Sequence, residues 1–284
     1  MILSIKEDTN YSIRAICATL ELPRSSFYHA SSPTSRQLSD QRLGDRIEEI
    51  FHDHQGRYGH RRIYEQLSDE GTECSRDRTR RLMKERNLHA IQPKSFAPRT
   101  SDGRADKPSE NLLAGKPLPI LPNKVFAGDI THIPVGDRWL YLAVVIDLCS
   151  RRVVGWKLAD HMRSELVIEA LDQALDSTEK SPDRIFHSDR GSQYGSKAFR
   201  ETLGNAGMRQ SMSAKANPYD NAWTESFIGT MKAEMLRGGR FDTEEDARTE
   251  IFAYINSYYN VSRKHSSIGY LTPAEFEARK LSIT

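Results

Sequence analysis

The stretch that decides the fold is residues 125–158, VFAGDITHIPVGDRWLYLAVVIDLCSRRVVGWKL. It contains three runs rich in β-branched and aromatic residues, at 125–135, 138–149 and 151–158, and the connections between them are very short. Runs of this composition joined by short turns predict an antiparallel meander of three strands. An acidic residue, Asp129, interrupts the first run, although Asp is normally disfavoured in strands.

Helices and strands alternate after this meander. Apolar residues at helical spacing predict helices, and short apolar runs predict strands. The predicted elements are a helix at 164–177, a strand at 184–188, a helix at 196–206, a strand at 208–213 and a long helix capped by Asp220. The order βββαβαβα is that of the ribonuclease H fold. We therefore predict an α/β core, a mixed sheet flanked by helices.

The chain on either side of this core has other patterns. Leu43, Ile47 and Ile50 lie at helical spacing, and six prolines break any helix between residues 92 and 124. The predicted organisation is a helix-turn-helix-like segment at 1–35, a helical DNA-binding module at 36–91, a Pro-rich linker at 92–124, the ribonuclease-H-like core at 125–240 and a C-terminal helical extension at 241–284. The linker is expected to run extended and to pack little. A regulatory or dimerisation role is the alternative for the helical module.

Basic residues are concentrated in the first part of the chain. Residues 1–124 contain 21 Lys and Arg against 17 Asp and Glu, whereas the remaining residues contain 20 against 22. Between Arg76 and Lys107 there are 10 basic and 4 acidic side chains. This excess suits contacts with DNA phosphates, but it is equally typical of a solvated helix face. The charge permits a nucleic-acid partner without requiring one.

The composition excludes several other classes of protein. The chain is 37% hydrophobic and 28% charged, as in ordinary globular proteins. Cys17, Cys74 and Cys149 are isolated, so neither a disulfide framework nor a cysteine zinc site is supported. No apolar run approaches the length of a membrane span, and the N-terminus lacks the pattern of a secretory signal. We expect a cytoplasmic protein with no membrane partner.

Three acids are candidates for a common site. Asp129 lies in the first strand, and Asp189 ends a later strand in IFHSDRGSQY. Ligands gather at the carboxyl ends of strands in α/β sheets. Glu225 lies early in the last helix of the core, DNAWTESFIGTMKAE. Carboxylates are the ligands that Mg²⁺ prefers, and two such ions can activate an attacking hydroxyl and stabilise the leaving oxygen of a phosphodiester.

The helix of Glu225 has two different faces. Residues four apart on a helix lie nearly in line, and residues seven apart complete almost two turns. The predicted buried stripe is Trp223, Phe227 and Met231. The predicted accessible face is Glu225, Gly229 and Lys232.

The spacing of the acids resembles a known pattern. There are 59 residues between Asp129 and Asp189 and 35 between Asp189 and Glu225. This D-D-35-E pattern resembles retroviral integrases and, more closely, the transposases of two-reading-frame, copy-and-paste insertion sequences, the insertion sequence three family. The blocks GDITHIP, HSDRGSQY, NPYDNAWTESFIGTMKAE, YYNVSRKHSSIGYLTPAEF and RYGHRRIYEQL carry the resemblance. It extends over residues 10–280.

The resemblance implies a transposase that cleaves DNA at insertion-sequence ends and transfers the strand to a target. It implies that Asp129, Asp189 and Glu225 are the catalytic metal ligands, for two Mg²⁺ ions that Mn²⁺ can replace. Lys232 would contact DNA, and Asn221 would help to shape the site. The DNA contacts expected in the helical module are Arg57, Arg61, Arg62, Arg78 and Arg81. Further expected partners are copies of the chain on DNA and the upstream-frame product, separate or fused, at the nucleoid.

Two other functions remain open from the residues alone. One is a ribonuclease-H-like nuclease that cuts DNA without joining it, and the other is a DNA-binding regulator with an inactive core. Within the core, His187 is either a proton carrier beside the second acid or a packing residue. Asp147 is either a fourth acid of the site or the acceptor of a turn, with Arg151 and Arg152 as candidate partners.

Overall fold

The computed structural model describes residues 6, 9, 11–25, 33–92, 108–214 and 222–282. The chain divides into two compact units, residues 1–90 and 91–284. Among the described residues, none of the helices has the length and apolar character needed to cross a membrane.

The first unit is helical throughout its described part. Its helices are α1 (Ile13–Thr19), α2 (Ser35–Asp53), α3 (His60–Asp69) and α4 (Arg76–Glu85). Thr34 and Gln37 form a capping box at the start of α2, and the Ser75 hydroxyl accepts from the Arg78 amide at the start of α4. Gly71, with φ +74°, follows the end of α3. Of the two helices predicted in residues 9–30, the second falls mostly outside the described residues.

The core of the first unit is formed by apolar residues of α2, α3 and α4, including Ile47 and Ile50 of the predicted stripe. Ile47, Ile63 and Leu67 are fully buried, and Ile50, Leu82 and Met83 are at most 5% exposed. Tyr58, between α2 and α3, is also fully buried, and its ring stacks on His54 with centroids 3.6 Å apart. The sequence did not single out Tyr58 as a core residue, because it lies within a run of basic residues.

The second unit is built on one five-stranded sheet. Its strands are β1 (Val125–Val135), β2 (Arg138–Asp147), β3 (Val153–Ala159), β4 (Ile185–Ser188) and β5 (Arg209–Met212), in the order β3-β2-β1-β4-β5. The β1–β2 and β2–β3 pairs are antiparallel, and β4 pairs in parallel with both β1 and β5. The predicted meander and the predicted ribonuclease-H-like order are both confirmed.

Helices cover both faces of this sheet. They are α5 (Ser164–Asp176), the short α6 (Ser192–Gly195), α7 (Lys197–Asn205), α8 (Ala222–Leu236) and α9 (Glu244–Phe252). On one face, Phe126 and Ile130 of β1 pack with buried side chains of α5 and α7. On the other, Ile133 and Val135 pack with buried side chains of α8 and α9. Because side chains alternate along a strand, Asp129 lies on this second face, beneath α8.

Residues 108–124 pack against the sheet, which differs from the expectation of an unpacked linker. The Ser211 hydroxyl accepts from the Leu112 amide at 2.9 Å, and Ser109 donates to Gln210 Oε1 at 2.7 Å. Leu113 packs against Val125 and its neighbours. Prolines prevent a helix in this segment, but they do not prevent extended chain from burying side chains against a sheet edge.

The C-terminal extension is part of the same core. After α9 the chain continues as a π-helical segment, Ala253–Tyr259, then a 3₁₀ turn, Ser266–Ile268, and α10 (Pro273–Leu281). Asn260 bonds both backbone groups of Val153 in β3, at 3.0 Å each. Arg152 pairs with Glu277 of α10 at 2.7 Å. The extension therefore anchors the start of β3 through side chains.

Candidate active site

Asp129 is half-buried in the central strand, and its surroundings disfavour a negative charge. Its Oδ1 accepts from the Ile130 amide at 2.8 Å. Burial, followed by the charge of Asp189 and a smaller effect of Glu225, raises its pKa to about 8. Asp129 and Asp189 are distant in sequence, but β1 and β4 pair in parallel with Ala127 opposite His187, so Asp129 lies beside the C-terminal end of β4, which Asp189 follows.

Asp189 follows β4 directly and is oriented by its own loop. Its Oδ1 accepts from the Gly191 amide at 2.9 Å, which closes a tight turn around the carboxylate. A Cβ at Gly191 would lie 3.0 Å from the same oxygen, so the absence of a side chain there lets the turn close. The Ser188 hydroxyl donates to the Asp189 carbonyl oxygen at 2.9 Å.

Glu225 and Lys232 lie on the face of α8 that the sequence predicted to be accessible. Glu225 is exposed in the first turn, and Lys232 is half-buried. Burial lowers the pKa of Lys232, while the nearby charge of Asp129 opposes that effect. The predicted opposite stripe is confirmed, because Phe227 and Met231 are buried and Trp223 packs partly buried against β1.

Tyr194 packs against β1 at Gly128, the residue before Asp129, and the sequence did not predict this role for Gly128. Tyr194 is 2% exposed, and burial first, then Asp129 and Asp189, raises the pKa of its phenol well above the usual value. A Cβ at Gly128 would lie 2.5 Å from the Phe186 ring and 3.3 Å from Tyr194 Oη. Gly128 therefore lets both aromatic side chains approach the strand that carries Asp129.

Two other polar residues near the site have structural partners. His187 is fully buried, and its Nδ1 lies 2.9 Å from Ser211 Oγ, as the packing interpretation predicts. Asp147 is fully buried and accepts from the amides of Asn123, Cys149 and Ser150 at 2.7 to 3.0 Å. It thus serves the β2–β3 turn, and of the two arginine candidates Arg152 pairs with Glu277 instead.

The three acids fit a hard divalent cation by their chemistry. All the candidate ligands are carboxylate oxygens; burial first, and then repulsion by Asp189 and Glu225, raises the pKa of Asp129, and a cation would offset the repulsion. Within the described part of the chain, no three His, Cys, Asp or Glu side chains already form a complete ligand set. Binding of a cation would therefore have to bring the acids closer together. Asn221 lies outside the described residues.

The arginines predicted to contact DNA have different surroundings in the first unit. Arg78 and Arg81 both pair with Asp40 of α2 at 2.7 Å. Arg57 is only 9% exposed. Arg61 is exposed, and Arg62 lies over the Tyr58 ring at 5.7 Å.

Comparisons with known proteins agree with this architecture. Two family models described as an integrase core domain match residues 121–218 and 206–273, and one described as an HTH-like domain matches residues 38–96. The transposase InsF for insertion sequence IS3A of Escherichia coli (strain K12) is 35% identical over 281 residues, which cover 98% of each chain. The chain belongs to the transposases of the insertion sequence three family.

A second relative of this transposase comes from another organism. The transposase for insertion sequence element IS904 of Lactococcus lactis subsp. lactis (strain IL1403) is 39% identical over 245 residues, covering 86% of this transposase and 97% of the relative. Among solved structures, the HTLV-2 integrase catalytic core domain in complex with magnesium matches with a TM-score of 0.43 and 18% identity. That match covers 56% of this transposase and 98% of the viral chain. The family membership predicted from the sequence is thus confirmed by these two transposases.

Proposed function

We propose that this transposase cleaves one DNA strand at the end of its insertion sequence and joins the freed 3′-hydroxyl to target DNA, at a site formed by Asp129, Asp189 and Glu225. The observation that supports this site is the parallel pairing of β1 with β4, in which Ala127 lies opposite His187, so Asp129, in β1, and Asp189, directly after β4, each follow two residues later. Burial first, and then the charges of Asp189 and Glu225, raises the pKa of Asp129 to about 8. A divalent cation bound by these carboxylates would offset the repulsion among them.

Asp129, Asp189 and Glu225 would hold divalent cations, two Mg²⁺ by family resemblance, with Mn²⁺ as a substitute. When bound, such ions activate an attacking hydroxyl and stabilise the leaving oxygen. The Ile130 and Gly191 amides would orient the carboxylates of Asp129 and Asp189 through the hydrogen bonds that they already donate. Asp129 would release its proton as the cation binds, because a positive charge beside the carboxylate favours its ionised form and so lowers its pKa.

The chemistry needs no covalent protein–DNA intermediate. Water attacks the phosphodiester at the element end, the phosphorus–oxygen bond breaks, and a 3′-hydroxyl leaves. That hydroxyl then attacks a target phosphodiester: a new phosphorus–oxygen bond forms, the bond to the target strand's 3′-oxygen breaks, and a target 3′-hydroxyl leaves, so the joining step needs no further energy source. Tyr194 is buried with a raised phenol pKa, and Ser188 donates to a backbone carbonyl, so neither is a suitable nucleophile.

DNA contacts are proposed on both units. Lys232 lies on the face of α8 that carries Glu225, where its ammonium group could bind a phosphate beside the site. In the first unit, exposed Arg61 is the most accessible of the predicted contacts. Arg62 and Arg57 lie in the same segment, and Arg78 and Arg81 would have to exchange Asp40 for phosphate. Asn221 remains a proposed neighbour of the site.

We further propose the partners that the family resemblance implies. These are copies of the chain assembled on paired element ends and the product of an upstream reading frame, either separate or fused to this chain. The protein would act in the cytoplasm at the nucleoid. The alternatives are a nuclease that does not join strands and a regulator with an inactive core. A strand-transfer experiment distinguishes both from a transposase.

The test uses the full chain and a labelled duplex from the end of the element that encodes it, with Mg²⁺ present. Replacing Glu225 by Gln should abolish both nicked and joined products while DNA binding is retained, because Gln cannot supply an anionic ligand. Glu245→Gln is the matched control, since Glu245 is also an exposed acid in the first turn of a helix, α9. It should react like the parent protein.

Other results have distinct meanings. Nicks without joined strands from the parent protein would favour the nuclease. Binding without any product, also when the upstream-frame product is added, would favour the regulator. Full activity of Glu225→Gln would exclude Glu225 as a ligand.

A further inference from the structure

A charged side chain, Glu234, lies within the buried stripe of α8. It is only 4% exposed, similar to Phe227 on the same side of the helix. Glu225 is nine residues earlier, which at about 100° per residue places it on the opposite side of the helix and about 13 Å away along the axis. Glu225 thus lies on the accessible side of α8, and Glu234 lies on the buried side, about two and a half turns further along the helix.

The partners of Glu234 come from the C-terminal extension. Arg263 Nη2 donates to Glu234 Oε1 at 2.6 Å, and Arg263 Nε donates to Oε2 at 2.9 Å. The Tyr254 hydroxyl donates to Oε2 at 2.8 Å. The Arg263 and Glu234 side chains are each 5% exposed. This is a two-pronged ion pair with a third hydrogen bond, in the interior of the protein.

Apolar packing alone does not determine the rotation of α8 well. Its apolar residues are not confined to one stripe, because Ile228 and Met235 also pack partly buried around the helix. Met231 and Met235 have flexible side chains that adapt to several arrangements. A bidentate ion pair, in contrast, forms only when the guanidinium group and the carboxylate face each other in one orientation. Buried ion pairs contribute little net stability because both charges lose hydration, but they can select one packing arrangement among several.

We propose that the Glu234–Arg263 pair, together with Tyr254, fixes the rotation of α8 and so positions Glu225 and Lys232 at the site. The inference rests on the proposed function, because it takes Glu225 to be a metal ligand. Arg263 is a positioning residue, since it is buried and acts through the helix. A rotation of about 10° moves a group at the outer radius of a helix, about 5 to 6 Å, by roughly 1 Å.

The test replaces the pair by apolar side chains of similar size in the full chain, Glu234→Leu with Arg263→Met. This removes both charges together, so no uncompensated buried charge remains. The matched control is Arg152→Met with Glu277→Leu, which removes the part-buried ion pair between the β2–β3 turn and α10. Neither control residue contributes to the proposed site. The measurements are thermal unfolding, DNA binding, cleavage rate, and Mn²⁺ binding without DNA by electron paramagnetic resonance.

The Glu234/Arg263 variant should remain folded and bind DNA as the parent protein does. Its kcat for cleavage should fall about 10- to 100-fold, since displacements near 1 Å have effects of this size. Its affinity for Mn²⁺ should fall about 10-fold, as when groups that orient metal ligands are lost. The control should change neither quantity. Parental kcat and Mn²⁺ affinity in the folded Glu234/Arg263 variant would overturn the proposal.

A second variant and a reference keep the result interpretable. Tyr254→Phe removes one hydrogen bond and no charge, and it decides the question if the double variant does not fold. It should lower kcat and Mn²⁺ affinity in the same direction, and parental values for both would overturn the proposal. Glu225→Gln is the reference. If it binds Mn²⁺ and cleaves normally, the proposed function fails, whereas failure of the positioning proposal leaves Glu225→Gln inactive.

Discussion

Burial of Asp129 beside two other acids opposes folding at neutral pH. Its pKa in the folded chain, about 8, is above the ordinary value of 3.8, so the folded state binds a proton more strongly than the unfolded state. For such an acid, the free energy of unfolding falls as pH rises from about 4 to about 8, and no further above that range. The carboxylate of Asp129, a proposed metal ligand, therefore lowers the stability of the fold at neutral pH.

Asp129→Asn should stabilise the protein when divalent cations are removed with a chelator. Asn does not ionise, so the gain should be absent near pH 4 and reach on the order of 2 kcal/mol at pH 8, reduced from the full shift because the site is partly solvated. Urea unfolding at several pH values measures it. Asp189→Asn should give a gain in the same sense, because it removes a neighbouring charge. An Asp129→Asn gain that does not change with pH would contradict the assignment.

The sequence identified some of the important side chains and missed others. Asp129 and Asp189 were found because an acid in an apolar strand, and an acid at a strand end, are each unusual. Glu234 and Arg263 were not found, because a Glu and an Arg in polar surroundings look like ordinary surface residues. Their burial depends on how the C-terminal extension folds over α8, which no local pattern records.

Strand β3 and helix α5 pack very closely at Gly155. A Cβ at Gly155 would lie 2.1 Å from the Ala170 carbonyl oxygen and 3.0 Å from Ala174 Cβ. Small residues on both elements therefore let the helix lie directly on the strand. Because the nearest atom belongs to the backbone, the helix cannot make room by rotating one side chain.

Gly155→Ala should lower the free energy of unfolding by about 3 kcal/mol, at the upper end of the usual effect of overpacking. Gly204→Ala is the control, since nothing lies within 4 Å of the added methyl group and Gly204 is inside α7. It should raise the free energy of unfolding by about 0.5 to 1 kcal/mol. Chemical denaturation measures both, and equal effects of the two changes would refute the packing argument.

Helices and strands with a regular spacing of apolar residues were predicted well, and segments whose conformation depends on contacts distant in sequence were not. The limits of β1 match the predicted run, because alternation and turn residues act locally. The packed course of residues 108–124 and the π-helical segment Ala253–Tyr259 were not foreseen. The first depends on partners such as Ser211, 99 residues after Leu112. The second packs in one apolar cluster with residues of β2 such as Leu142, far away in the sequence.

Residues 261–284 contribute two ion-pair partners, Arg263 and Glu277, to the second unit. Removal of residues 261–284 would leave Glu234 buried without Arg263 and remove Glu277 from Arg152. All three tryptophans, Trp139, Trp156 and Trp223, lie in this unit, so their fluorescence reports its folding separately.

The chain truncated after residue 260 should therefore lose the cooperative tryptophan transition on denaturation. A helical transition of the first unit should remain in far-ultraviolet circular dichroism, because residues 1–90 form a separate compact unit. The double change Arg152→Met with Glu277→Leu in the full chain is the control and should retain the tryptophan transition. An unchanged tryptophan transition in the truncated chain would show that the segment is dispensable for folding.

The pairing of Arg78 and Arg81 with Asp40 bears on how salt would affect DNA binding. The two arginines hold the pKa of Asp40 below its ordinary value, so this carboxylate stays charged under all physiological conditions. A phosphate that binds either arginine displaces a fixed anion of the protein, and the displaced carboxylate then attracts sodium or potassium from solution. Cations freed from DNA are thereby partly recaptured, so ionic strength would weaken binding less steeply than the number of arginines implies.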